Sequence, residues 1–151
     1  KVFDAPGKTK IQLFNSAQQW FIGRYKTDDG IEVLDTSNMR VIGKGKETVN
    51  FSSGLNASGP FRSLMSIQID CKDGKYRCRL YSITLTNGNV HATNNLLDNL
   101  VINPESMVDL LTGKSGQSQL TKNQARGMLQ ALNATINNTI ASLDKTMNDS
   151  F

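Results

Sequence analysis

The chain has 151 residues, 17 basic against 13 acidic for a net charge of +4, with one histidine and two cysteines. That length supports a domain with a real core, and the mild charge permits an anionic partner without demanding one. No apolar run approaches the ~18 residues that cross a membrane, and a single histidine argues against a Cys/His metal centre. The chain opens at Lys1 rather than Met, so we expect that an N-terminal segment was removed, and that a signal peptide would have gone with it.

Lys1 to Ala5 reads as the end of a strand, broken by Pro6-Gly7. Thr9-Lys10-Ile11-Gln12 fits a capping box. Leu13, Phe14, Ala17, Trp20 and Phe21 then recur at helical spacing, which predicts an amphipathic helix over about 10–24 with core packing as its role. Gly30–Asp35 and Met39–Thr48 read as two strands joined by turn residues Thr36-Ser37-Asn38. Gly43 and Gly45 inside the second suggest a bulge or strong bend. Asn50–Pro60 is polar and Gly/Ser-rich, and reads as a long mobile loop.

Leu64–Leu85 predicts a β-hairpin around Asp73-Gly74, a dipeptide suited to a type I′ turn. A two-residue loop sets Cys71 opposite Tyr76, Asp70 opposite Arg77, Ile69 opposite Cys78 and Gln68 opposite Arg79. One face then carries Met65, Ile67, Ile69, Cys71, Tyr76, Cys78 and Leu80. The other carries Ser66, Gln68, Asp70, Lys72, Lys75, Arg77 and Arg79, the pattern of an antiparallel sheet covered on one side. Cys71 and Cys78 share a face but lie diagonally, roughly 7–8 Å apart by Cα, beyond comfortable disulfide reach. Free buried thiols are therefore expected. The apolar parity flips between Leu80 and Tyr81, which requires either a bulge or burial on both faces. Burial by the C-terminal part of the chain is the reading preferred on the sequence.

His91 falls among polar residues with no partner pattern that would make it a base. Asn94–Ile102 is ambiguous between a helical turn and a short strand. Asn103-Pro104-Glu105 opens a helix that Gly113 ends. Lys114–Gln119 is a linker, and Thr121-Lys122-Asn123-Gln124 repeats the capping box at the head of a long helix over about 122–147. Met128, Leu129, Leu132, Ile136, Ile140, Leu143 and Met147 keep helical period. A stripe of Gly127, Ala131, Ala134 and Ala141 beside them would admit another element closely. Packing within the chain is the default, and a homodimer through the 122–147 helix is the alternative.

Gly113-Lys114-Ser115 is no P-loop, because the required earlier glycine is Val108 and the lysine follows a helix. Gly43 and Gly45 start no G-x-G-x-x-G, since Thr48 stands sixth. The chain has no nucleophile elbow or paired-carboxylate constellation, so no catalytic, cofactor-binding or metal-ligating residue is assigned. Five N-x-S/T sequons, at Asn50, Asn56, Asn133, Asn137 and Asn148, are what such a composition gives by chance. The one charged feature is Lys75, Arg77 and Arg79 projecting from the polar hairpin face, with Lys72 at the turn and Lys44 and Lys46 on a neighbouring strand. They form a candidate anion-binding stripe; the bland alternative is a solvated face with Asp70 paired to Arg77. No exposed aromatics interleave with these charges, so single-stranded nucleic acid is not an expected partner.

Three stretches, GKTKIQLFNSAQQWF, IEVLDTSNMRVIGKGK and IQIDCKDGKYRCRLYSI, resemble a mainly Bacteroidetes domain family of unknown function with a TATA-box-binding-protein-like fold. The residues that carry it are Gly7, Lys10, Trp20, Ile42–Gly45 and Lys72–Arg77, and the likeness covers about residues 1–85. The resemblance implies a curved antiparallel sheet with the first helix across one face, and an exported, periplasmic or outer-membrane-anchored protein. It implies no activity. The expectation is one α+β domain over 1–151: a four- or five-stranded sheet within 1–90, completed by C-terminal helices in 91–151. Its expected function is a non-catalytic binding or scaffolding module of the cell envelope with a protein or glycan partner. The alternative is an anionic ligand, nucleic acid or acidic glycan, held by Lys75, Arg77 and Arg79.

Overall fold

The computed structural model describes residues 1–25, 30–52, 58–87, 101–114 and 120–149. In chain order they form β1 (Val2–Asp4), α1 (Lys10–Tyr25), β2 (Ile31–Asp35), β3 (Arg40–Ser52), β4 (Ser58–Lys72), β5 (Lys75–Asn87), β6 (Val101–Ile102), α2 (Pro104–Thr112) and α3 (Lys122–Asn148). The sheet is antiparallel with strand order β1-β5-β4-β3-β2, and β6 pairs with β5. The two-residue β6 makes six strands where four or five were expected, and resolves the ambiguity at Val101–Ile102 as strand. His91 and residues 94–100 of that stretch lie outside the described residues.

Two compact units divide the chain. Unit 1 is Lys1–Gly45, Met65–Ser82 and Asn138–Phe151; unit 2 is Lys46–Leu64 and Ile83–Asn137. The boundaries cut through β3, β4, β5 and α3, so both units draw on sheet and helix.

In unit 1, α1 begins as its capping box requires. The Thr9 N–H donates to Gln12 Oε1 at 2.8 Å, and the Gln12 N–H to Thr9 Oγ1 at 3.3 Å. The helix buries Leu13, Phe14, Ala17, Trp20 and Phe21. Gly43 and Gly45 of β3 leave room for its side chains: a Cβ on Gly43 would lie 2.7 Å from Phe21 Cε1, and one on Gly45 2.7 Å from the Tyr25 hydroxyl. The irregularity suggested by these glycines falls on the partner strand, where the β2–β3 register shifts between Ile31 and Val33 opposite Gly43. The end of α3 completes the unit. Trp20 Nε1 donates to Ser142 Oγ at 3.1 Å, and the Tyr76 hydroxyl to Asp144 Oδ1 at 2.6 Å. Trp20 is 4% exposed, as its place on the helical stripe predicts.

The hairpin faces are as read up to Cys78: Met65, Ile67, Ile69, Cys71, Tyr76 and Cys78 are buried, Leu80 is only half-buried, and both cysteines are free thiols. The turn is not type I′. Gly74 has φ +74, but Asp73 is not in the positive-φ region, and type I′ needs positive φ at both central residues. The reason is tertiary. The Gly74 N–H donates to the Lys8 carbonyl at 2.9 Å, the Ala5 N–H to the Gly74 carbonyl at 2.8 Å, and the Lys10 N–H to Asp73 Oδ1 at 2.7 Å. The hairpin tip is thus docked on the turn that starts α1, and Asp73 accepts one of that helix's free amides.

The parity flip in β5 is a bulge and not burial on both faces. Burial in β4 alternates without a break from Phe61 to Cys71, whereas in β5 it moves from Tyr76 and Cys78 to Leu85. β5 must therefore hold an extra residue relative to its partner. Ser82 lies in this stretch with φ +51, and Tyr81 is 40% exposed.

Unit 2 has its own core: Val49 and Phe51 of β3, Phe61 of β4, Leu85, Ile102, Met107 of α2, and Ala125, Met128 and Leu132 of α3. Phe51 and Phe61 meet at a ring-centroid distance of 5.4 Å. Their alternation extends β3 to Ser52 and starts β4 at Ser58, so the loop expected over Asn50–Pro60 is shorter than its polar composition suggests; residues 53–57 lie outside the described residues. α2 has Pro104 in its first turn and Gly113 at φ +77 as its stop, but Asn103 caps without a side-chain hydrogen bond. The Ser106 hydroxyl instead donates back to the Asn103 carbonyl at 2.7 Å. α3 opens with the second capping box, the Thr121 N–H donating to Gln124 Oε1 at 2.8 Å. Of its small-residue stripe, Ala131 packs against the core while Ala134 and Ala141 are exposed.

Candidate functional site

The outward side chains of β3, β4 and β5 within unit 1 form a polar face. Alternation places Arg40, Ile42 and Lys44 of β3, Ser66, Gln68 and Asp70 of β4, and Lys75, Arg77 and Arg79 of β5 on the side away from the buried hairpin residues. The Cys71 N–H donates to the Met39 carbonyl at 2.9 Å, which brings Asp70 alongside Arg40.

Asp70 is the hub of this face. Arg40 Nε lies 2.5 Å from its Oδ1, and Arg77 donates to Oδ2 through Nη2 at 2.9 Å and Nε at 3.0 Å. Gln68 Nε2 reaches both carboxylate oxygens at 3.0 Å. The Asp70 side chain is 13% exposed, against 37% and 40% for Arg40 and Arg77. Burial pushes the Asp70 carboxyl up, but the hydrogen bonds from Arg40, Gln68 and Arg77 together outweigh it and hold it below the usual carboxylate range. The Asp70 hydrogen bond holds the Arg40 guanidinium firmly charged. At the edge of the face Lys44 pairs with Glu32 at 2.7 Å.

The Asp70–Arg77 pairing follows from the two-residue turn. Arg40 as a second partner and Gln68 as a third donor did not show in the sequence, because the β3–β4 register depends on a connection whose length the sequence leaves open. Lys75, Arg77 and Arg79 do not converge on one point. Lys75 and Arg77 border a pocket of about 240 Å3 with Val2, Asp70, Lys72 and Tyr76. Arg79 borders a separate cleft of about 620 Å3 with Lys1, Gln68, Cys78, Leu80, Tyr81 and Ile140. Lys72, Lys75 and Arg79 have no hydrogen-bond or ion-pair partner among the described residues, so their charges face solvent.

Burial works against a thiolate at either cysteine. Burial pushes the Cys71 thiol up to about 12 and the Cys78 thiol to about 11, and Asp70 adds to the effect on Cys71. Burial, with the hydrogen bond to Asp144, raises the Tyr76 hydroxyl as well. Among the described residues no group of three or more His, Cys, Asp or Glu side chains is placed to hold a metal ion. No described helix is long and apolar enough to cross a membrane.

The model of a family described as a domain of unknown function (DUF4468) with TBP-like fold matches residues 1–86. Two solved structures share the fold. One is a DUF4468 family protein from Bacteroides ovatus, 19% identical with a TM-score of 0.68, the match covering 99% of this chain and 85% of the other. The second is a TBP-like protein from Parabacteroides distasonis, 9% identical with a TM-score of 0.62, covering 95% and 90%. No curated protein matches the chain. The motifs that carried the resemblance have structural work in this chain. Lys10 takes the Asp73 cap, Trp20 is core, Gly43 and Gly45 admit α1, and Asp73-Gly74 docks the hairpin tip.

Proposed function

This chain belongs to the DUF4468 family of unknown function with TBP-like fold, and from that premise we propose that it is a non-catalytic binding or scaffolding module of the bacterial cell envelope. Its partner, a protein or glycan, meets the open polar face of β3, β4 and β5 in unit 1. One observation carries this reading: Asp70 fixes side chains from three strands through Arg40, Gln68 and Arg77, while Lys72, Lys75 and Arg79 of the same face have no partner among the described residues. A rigid polar platform with free charges around it suits recognition, because little side-chain freedom is lost on contact. The buried, protonated cysteines support the absence of nucleophilic chemistry. Self-association through the 122–147 helix would be the scaffolding form of the same proposal, readable by sedimentation. The envelope assignment rests on the family resemblance and is tested by fractionating cells that express the full-length protein.

A photo-crosslinker placed at Arg79 should give a discrete adduct in the envelope fraction, and one at Ile11, on the exposed side of α1, should not. Adducts at Ile11 with none at Arg79 would remove the reading. The pocket bordered by Lys72, Lys75 and Arg77 favours a second reading, an anionic ligand on this face. Binding to an acidic polysaccharide that weakens steeply with salt, and is reduced in Lys75→Ala, would support it.

A further inference from the structure

Unit 2 carries a polar concavity of its own. Lys46 and Thr48 of β3, Arg62 and Leu64 of β4, and Thr84 and Thr86 of β5 border a cleft of about 400 Å3, within the size range of small-ligand sites. All are described side chains on three neighbouring strands of one unit. Lys46 and Arg62 are exposed and have no hydrogen-bond or ion-pair partner among the described residues. Glu47 also borders the cleft; it is half-buried and alternates to the face of Gly45 and Val49, so among the described residues no carboxylate borders the cleft from the face of the two cations. The Thr86 hydroxyl makes only a long 3.5 Å contact with the Arg62 carbonyl, which leaves it free to turn to a better acceptor. Leu64, 37% exposed, supplies an apolar spot between the charges.

We propose that this cleft binds a small phosphate monoester. Two cations match a group that carries about −1.5 to −2 charge at neutral pH, and three threonine hydroxyls can donate to its three oxygens. A carboxylate brings half that charge and one oxygen fewer. Leu64 receives the organic body. The absence of an aromatic among the lining residues removes the stacking that single-stranded nucleic acid uses.

The test is an amide NMR titration of the whole chain with glycerol 3-phosphate, alongside glucuronate, glycerol and a short DNA duplex. Saturable shifts are expected at Lys46, Thr48, Arg62, Thr84 and Thr86 with glycerol 3-phosphate, weaker ones with glucuronate and none with glycerol. Arg62→Ala and Lys46→Ala should each weaken binding by about tenfold or more, with an otherwise native spectrum. Arg79→Ala, on the hairpin face, should leave it unchanged. No saturable shift, equal binding of glucuronate, saturation only by duplex DNA, or undiminished binding in the natively folded Arg62→Ala variant would each overturn the proposal. None of these outcomes bears on the hairpin-face reading, which the Arg79 crosslink decides.

Discussion

Replacing Gly43 by alanine tests the joint between α1 and the sheet. The added Cβ would overlap the Gly30 carbonyl oxygen and come 2.7 Å from Phe21 Cε1. The first neighbour is backbone, fixed beside the β2 register shift at Ile31. The second is a ring 1% exposed in the core. Neither can retreat without parting β2 from β3 or lifting α1. Overpacking of a tight core typically costs about 1–3 kcal/mol, and a backbone obstacle puts this case at the top, about 3 kcal/mol. With an ordinary urea dependence that lowers the unfolding midpoint by about 1–2 M. Trp20, the one tryptophan of the chain, lies in the same unit and reports the transition by fluorescence. Gly23→Ala is the contrast. That position is in the same helix with nothing within 4 Å of an added Cβ, and the change should stabilise by about 0.4–1 kcal/mol through the unfolded chain and helix propensity. If Gly43→Ala stays within about 0.5 kcal/mol of the parent, the close approach of α1 to β3 is wrong.

Trp20→Ala should cost about 3–5 kcal/mol, and Ser142→Ala, which removes the indole's acceptor, about 1 kcal/mol; water-exposed indole emission from the native protein would contradict the burial. Without reductant, both Cys71 and Cys78 should titrate as thiols after denaturation and neither before it. Because burial raises both thiols in the folded state, their contribution is full below the ordinary thiol range. It is lost as pH rises through that range, at up to about 1.4 kcal/mol per pH unit for each; urea midpoints that do not fall toward strongly alkaline pH would sink this reasoning. Asp70 works in the opposite sense. Its carboxyl is held low, so its contribution is present above the ordinary carboxylate range and fades as pH falls through it. Asp70→Asn should cost about 1–3 kcal/mol at neutral pH and flatten the acid limb of the urea midpoints, whereas Arg77→Ala, which leaves Arg40 and Gln68 on the carboxylate, should cost less than about 1 kcal/mol.

Much of the chemistry that acts within a few residues was legible, though not the Asn103 cap, which forms without its side chain. The capping boxes at Thr9 and Thr121, the stop at Gly113, the stripe on α1 and the two faces of the hairpin up to Cys78 are all set by spacing, and the structure repeats them. The Asp70–Arg77 pair was legible for the same reason, since two turn residues fix which side chains oppose each other. The motif resemblance likewise led to the right family.

Tertiary structure decided whatever depends on partners distant in the chain. The turn at Asp73-Gly74 departs from type I′ because Lys8 and Lys10 hold it from 63 or more residues away in sequence. The bulge in β5 became visible only against the unbroken alternation of β4. Arg40 joined Asp70 through a register that no local pattern encodes, and the threonines and cations of unit 2 shared a cleft only once β3, β4 and β5 lay side by side. The chain itself fixes periodicity, caps and short-turn pairing, because those energies are local. Which strand lies beside which is settled by burying faces that no segment can bury alone, and both candidate sites on the sheet depend on that choice.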